Sequence, residues 1–95
     1  MISTFLVIKA KRDLLSRIVA NIVESLKKIE TSDIYFRFLD RQVNAKSLVG
    51  FSLLRIKQNE SFEAYIISKD DAAAAIDLEK LLIAIEPYCE IVLVD

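Results

Sequence analysis

Along the first residues, Ile2, Thr4, Leu6 and Ile8 fall on one side of an extended chain and Ser3, Phe5 and Val7 on the other. Both sides are fairly apolar, so Ile2 to Lys9 predicts a well-covered strand. After a basic turn the spacing becomes helical. Leu15, Ile18, Val19, Ile22, Leu26 and Ile29 form an apolar stripe, with Arg17, Asn21, Glu24 and Lys28 on the wet face. This predicts a helix to about Ile29, with either Asp13 or Ser16 as its cap. Thr31-Ser32-Asp33 reads as a turn. Ile34, Phe36 and Phe38 alternate with Tyr35 and Arg37 in a half-buried strand, and Asp40-Arg41-Gln42 turns the chain into a short strand from Val43 to Ala45.

Ser47 then opens a short helix to about Leu54, as a residue whose hydroxyl accepts hydrogen bonds from the free N–H groups of the first turn. Lys57 to Glu60 read as a loop. Phe62, Ala64 and Ile66 alternate with Glu63, Tyr65 and Ile67 in a further strand. Asp70 and Asp71 suit the start of a last helix, from about Ala72 to Ile85, which stops before Pro87. Four alanines, Ala72 to Ala75, let that helix lie close to a sheet. The order is β-α-β-β-α-β-α followed by an apolar tail, Ile91 to Val94. Helices gathered on one face of a mostly antiparallel sheet define a two-layer α+β domain. A ferredoxin-like β-α-β-β-α-β arrangement shares the alternation, but it normally carries a longer second helix than Ser47 to Leu54 allows. The tail is expected to add a strand within the chain rather than pair with a second copy, since an unpaired strand of this kind is an association hazard.

Composition narrows the function. Ninety-five residues suit one domain, 1–95, and 54% apolar content with one glycine and one proline excludes disorder. A net charge of −1 removes the global electrostatic reason to expect nucleic acid. The apolar N-terminal segment is too short for a membrane span and lacks a leading basic region, so the cytoplasm is the expected location. One cysteine, Cys89, allows no internal disulfide and reads as a buried small apolar side chain. With no histidine, an ordinary zinc site is excluded, and neither a metal nor another cofactor is expected.

The stretch Asn44-Ala45-Lys46-Ser47-Leu48-Val49-Gly50, continuing to Ser52-Leu53-Leu54, resembles the regulatory-serine helix of HPr, the phosphocarrier protein of the sugar phosphotransferase system. Ser68-Lys69-Asp70-Asp71 is similar, more weakly, to that family's Gly-x-Asp-Glu helix opening. The element order is also the family's, so the resemblance spans roughly residues 2 to 85 and implies an open-faced sandwich with a possible extra strand at 90–95. It implies phosphorylation of Ser47 by a kinase resembling HPr kinase, where the phosphoryl group sits at the positive end of the helix dipole. It also implies protein partners, namely HPr kinase and a catabolite-control transcription regulator. Arg12, Arg17 and Lys46 are the candidate anion or partner contacts. Leu15, Leu48 and Phe51 are the candidate docking surface, although a slightly rotated first helix would place Leu15 in the core instead.

The departures from the family pattern decide the chemistry. Its active centre reads Gly-Leu-His-x-Arg-Pro-Ala, against Asp13-Leu14-Leu15-Ser16-Arg17-Ile18-Val19 here. Leucine stands at the histidine position and isoleucine at the proline position. Arg55 stands where the family commonly has glycine. A carrier needs a nucleophilic imidazole near neutral pH, and leucine offers none. The expectation is therefore a non-catalytic, HPr-like regulatory or interaction protein, with no catalytic residue. The alternative is an assembly module that reuses the fold and homodimerises through its C-terminal strand.

Overall fold

A computed structural model describes residues 1–95. The elements are β1 (Ile2–Ala10), α1 (Ser16–Leu26), β2 (Ser32–Phe38), β3 (Arg41–Asn44), α2 (Leu48–Leu54), β4 (Ser61–Ser68), α3 (Asp71–Ile85) and β5 (Cys89–Val94). The strands form one antiparallel sheet in the order β3-β2-β4-β1-β5. The helices lie on one face of it, giving the two-layer α+β sandwich that the alternation predicts.

Period-two patterning fixes which side of each strand meets the helices. Leu6, Ile8 and Ala10 of β1, Ile34 and Phe36 of β2, and Phe62, Ala64 and Ile66 of β4 all point inward and are buried. Phe36 lies at the centre. The rings of Phe51 (5.0 Å, 81°) and Phe62 (5.1 Å, 71°) meet it edge-on, which joins β2, α2 and β4 through a favourable aromatic geometry. On α3, Ala73 and Ala74 are buried, so the alanine run does bring the helix against the sheet. Asp70 caps it by accepting a hydrogen bond from the Ala73 N–H at 2.8 Å.

Several boundaries differ from the sequence reading. α1 ends at Leu26, although Ile29 is still buried in the connection that follows. Neither candidate caps α1. Asp13 instead accepts from the Gln58 N–H at 2.8 Å, and the N-cap position belongs to Leu15, which has no side-chain cap bond to offer. Ser16 adopts φ 43°, a left-handed conformation that costs a non-glycine residue roughly 1–2 kcal/mol. β3 runs from Arg41 to Asn44, and Ala45 is buried just beyond it, its N–H donating to the Ile34 carbonyl at 2.9 Å. β2 begins at Ser32, inside the predicted turn, because α3 supplies a partner there. Asp77 is fully buried and accepts hydrogen bonds from the hydroxyls of Ser32 and of Thr31, the latter at 2.6 Å, while Ser32 and Ser68 share a hydrogen bond of 2.6 Å.

The tail does form a strand within the chain. β5 pairs with β1 from Ala10↔Cys89 to Leu6↔Val94, with a bulge at Val92, since Ile8 pairs with Ile91 and Val7 with Leu93. Beyond it, Phe5 and Asp95 exchange both backbone hydrogen bonds (3.1 and 2.8 Å). Burial at the start of β5 pushes the Cys89 thiol up to about 12, against a smaller opposing effect of Lys11.

Three outcomes follow. Arg55 closes α2 with φ 52° and ψ 49°, the left-handed position that glycine occupies without penalty. Arg55→Gly should therefore stabilise the protein by about 1 kcal/mol, measured as a rise in urea midpoint at unchanged m-value. Cys89 should react with a thiol reagent at pH 8 on the order of a hundred-fold or more slowly in the folded protein than in urea. Because its thiol stays protonated in the fold to higher pH than in the unfolded chain, stability should fall as pH rises from the thiol's ordinary value of 9.0 towards about 12.

Candidate functional site

The segment between β3 and α2 is built to hold Ser47. The Asn44 side chain accepts from the Lys46 N–H at 2.9 Å, and the Asn44 carbonyl accepts from the Ser47 N–H at 3.0 Å, which turns the chain out of the strand. Ser47 then takes the extended conformation of an N-cap (φ −94°, ψ 115°), and its Oγ accepts from the Gly50 N–H at 3.1 Å. A Cβ at Gly50 would stand 3.2 Å from both Ser47 Oγ and Val43 Cβ. The missing side chain thus lets the first turn of α2 close against β3 and its own cap. Ser47 is half-buried.

α2 divides its apolar residues between two faces. Phe51 and Leu54 enter the core, whereas Leu48 (48% exposed), Val49 (71%) and Leu53 (51%) face outward. This corrects the expectation that Phe51 forms part of a docking surface. Helical spacing puts residues 51 and 54 on the inward stripe, and the Phe51 ring is packed on Phe36. Val49 and Leu53 are the outward residues that the sequence reading missed. The run Leu48-Val49 held the clue, since two adjacent helical residues lie about 100° apart and rarely share burial with residues 51 and 54.

Leu15 is 44% exposed, while Leu14 is buried and its N–H donates to the Ile56 carbonyl at 2.8 Å. Leu14 thus takes the core position, and Leu15 stands at the surface where α1 begins. α1 and α2 are neighbours on the helical side of the sheet, so Leu15, Leu48, Val49 and Leu53 belong to the same layer. Arg12 and Arg17 are exposed at the N-terminal end of α1, and neither enters the two salt bridges, Lys9–Glu90 and Arg37–Glu63.

Lys46 does not join them. Its ammonium donates to the Ile29 carbonyl and, at 2.8 Å, to the Ser32 carbonyl, on the connection that follows the C-terminal end of α1. The helix of 11 residues separates that point from Arg17 by about 16 Å. Lys46 is therefore a clamp on the backbone at the start of β2, not an anion contact. Its ammonium is held by one carbonyl of the connection after α1 and one of the first residue of β2. No three His, Cys, Asp or Glu side chains come together in a way that would hold a metal ion. No helix is long and apolar enough to cross a membrane.

Known proteins give this geometry a setting. The family described as the PTS HPr component phosphorylation site matches residues 2–84. Among solved structures, the chain is similar to HPr-C-His from Thermoanaerobacter tengcongensis, with a TM-score of 0.66 and 27% identity over 90% of this chain and 92% of that one. It also shares its fold with the histidine-containing phosphocarrier protein described for Mycoplasma, at a TM-score of 0.65 and 19% identity over 90% of this chain and 93% of that one. No curated protein sequence matches it. The matched span takes in β1 to α3, including the Ser47 turn and the start of α1, and leaves β5 outside. This chain belongs to the HPr family of the phosphotransferase system.

Proposed function

We propose that this chain is a non-carrier member of its family that works through protein contact, presenting α1 and α2 to partners under the control of phosphorylation at Ser47. The observation that carries the reading is Leu15. It is exposed at the opening of α1, at the position where the family's active centre has histidine, and the chain has no histidine elsewhere. A phosphoryl carrier needs a nucleophile whose adduct transfers readily, and an aliphatic side chain has no lone pair to offer. What the position supplies instead is apolar surface beside Leu48, Val49 and Leu53.

HPr-family proteins interact with other proteins of the phosphotransferase system. The partners proposed here are HPr kinase, acting on Ser47, and a catabolite-control transcription regulator that reads the phosphorylated form in the cytoplasm. Arg12 and Arg17, exposed and unpaired, supply cationic contacts at the edge of that surface. Phosphorylation would add nearly two negative charges and three acceptor oxygens where the neutral hydroxyl now caps α2. Neither a nucleic acid nor a membrane has a place in this reading, and the protein itself catalyses no reaction. A second reading, assembly through the C-terminal strand, draws on β5, whose Ile91, Val92, Leu93 and Val94 are 36–58% exposed.

Incubation with HPr kinase and ATP should give a single phosphoryl adduct by intact mass, absent from Ser47→Ala. No adduct, with authentic HPr labelled in the same tube, would reduce Ser47 to a cap. Ser47→Ala should also lower stability by about 1 kcal/mol through loss of the cap. Incubation with enzyme I and phosphoenolpyruvate should leave the mass unchanged, and labelling there would overturn the non-carrier reading.

A further inference from the structure

Two hydrogen bonds fix how α1 and α3 lie against each other. Asn21 of α1 donates to the Tyr88 hydroxyl, just past the end of α3, at 3.3 Å. Thr31, past the end of α1, donates to Asp77 of α3 at 2.6 Å. The two helices therefore run in opposite directions, and the surface seam between these points is a groove of about 510 Å³. That is the size of a small-molecule site. The groove shares no residue with the surface of Leu15, Leu48, Val49 and Leu53 or with the Ser47 turn.

It is polarised along its length. Lys28 stands three residues before Thr31 and Lys80 three residues after Asp77, so both ammonium groups belong to that end. Neither enters the two salt bridges of the protein. None of the 14 aspartates and glutamates lines the groove. Asp77 in particular turns towards the sheet, where the hydroxyls of Thr31 and Ser32 hold it. Away from the lysines the wall is aliphatic, made by Ile83, Ala84 and Pro87. The Tyr88 ring ends the groove, its hydroxyl tied to Asn21.

Two unpaired cations at one end of an aliphatic groove call for a ligand of matching polarity. The lysines attract and orient an anionic head, and the wall takes an apolar tail out of water. From Lys80 to Pro87 the chain rises about 10 Å, the reach of a medium-length acyl group. We infer that the α1–α3 groove binds a small amphiphilic anion, a carboxylate or phosphate monoester with one aliphatic tail. Its head lies between Lys28 and Lys80, and its tail runs along Ile83, Ala84 and Pro87. The site is separate from Ser47, so it stands or falls independently of phosphorylation there.

Titration of the isotope-labelled full chain with octanoate and with octyl phosphate, each below its micelle concentration and followed by amide NMR, tests this. Both should give saturable shifts at Ser25, Lys28, Lys80, Ile83 and Ala84. Octanol has the tail without the charge, and inorganic phosphate the charge without the tail. Each should bind at least about ten-fold more weakly than octyl phosphate. Lys28→Ala/Lys80→Ala should weaken octyl phosphate by about ten-fold or more and leave octanol unchanged. Ile83→Asp should abolish octanoate binding while circular dichroism stays unchanged, since residue 83 is 63% exposed. Inorganic phosphate binding as tightly as octyl phosphate would reveal an adventitious ion only and overturn the inference. So would octanoate shifts that persist in the double lysine variant. Shifts gathered at Leu15, Leu48, Val49 and Leu53 would also overturn it, by placing the amphiphile on the α1–α2 surface.

Discussion

The edge-on packing of Phe51 and Phe62 against Phe36 is the contact on which the rest of the helical layer depends. Phe36 is fully buried at the middle of β2, so the direction of the Phe51 ring decides the rotation of α2 about its axis. With Phe51 and Leu54 turned inward, helical geometry leaves Leu48, Val49 and Leu53 no choice but to face solvent. The same rotation places Gly50 against Val43 and presents its N–H to the Ser47 hydroxyl. The Ser47 cap, the outward apolar residues of α2 and a packed core are thus three results of one aromatic contact.

Most of the architecture was legible because period-two and helical spacing are strong in this chain. The order of elements, the Ser47 cap, the start of the last helix at Asp70 and Asp71 and the extended, β-prone tail all follow from local pattern. What was not legible depends on contacts between residues distant in sequence. Phe51 looks like a surface residue only until β2 is placed beneath it. Lys46 looks like a free cation until α1 ends where its ammonium can reach two carbonyls. Ser32 reads as a turn residue, yet Asp77, 45 positions along, draws it into a strand. Asp77 itself gave no signal, because an aspartate within a helical stripe looks like any solvated residue. One of its oxygens, Oδ1, remains without a protein partner, while the other accepts from two hydroxyls that bind α3 to the start of β2.

The departures from the family pattern have physical consequences of different kinds. Leu15 puts an exposed aliphatic side chain at the opening of α1. Arg55 changes energetics, holding a side chain in a backbone region that favours glycine. Ile18, at the position of the family's proline, restores a backbone N–H to the first turn of α1, which donates to the Leu15 carbonyl at 3.0 Å. None of the three disturbs the core.

The joining of Phe5 to Asp95 bears on how the chain acquires its structure. β1 precedes every other element in the chain, yet both of its neighbours, β4 and β5, come from the second half of the sequence. Until residues 61–68 are made, β1 has no partner, and its outer edge waits for residues 89–95. Pairings of such long sequence separation impose a large loop-closure cost before they are rewarded, which slows folding. Pairing of β5, not completion of the core elements, is then the event that closes this sheet, and β1 stays an adhesive, unpaired strand until the second half of the sequence has been made.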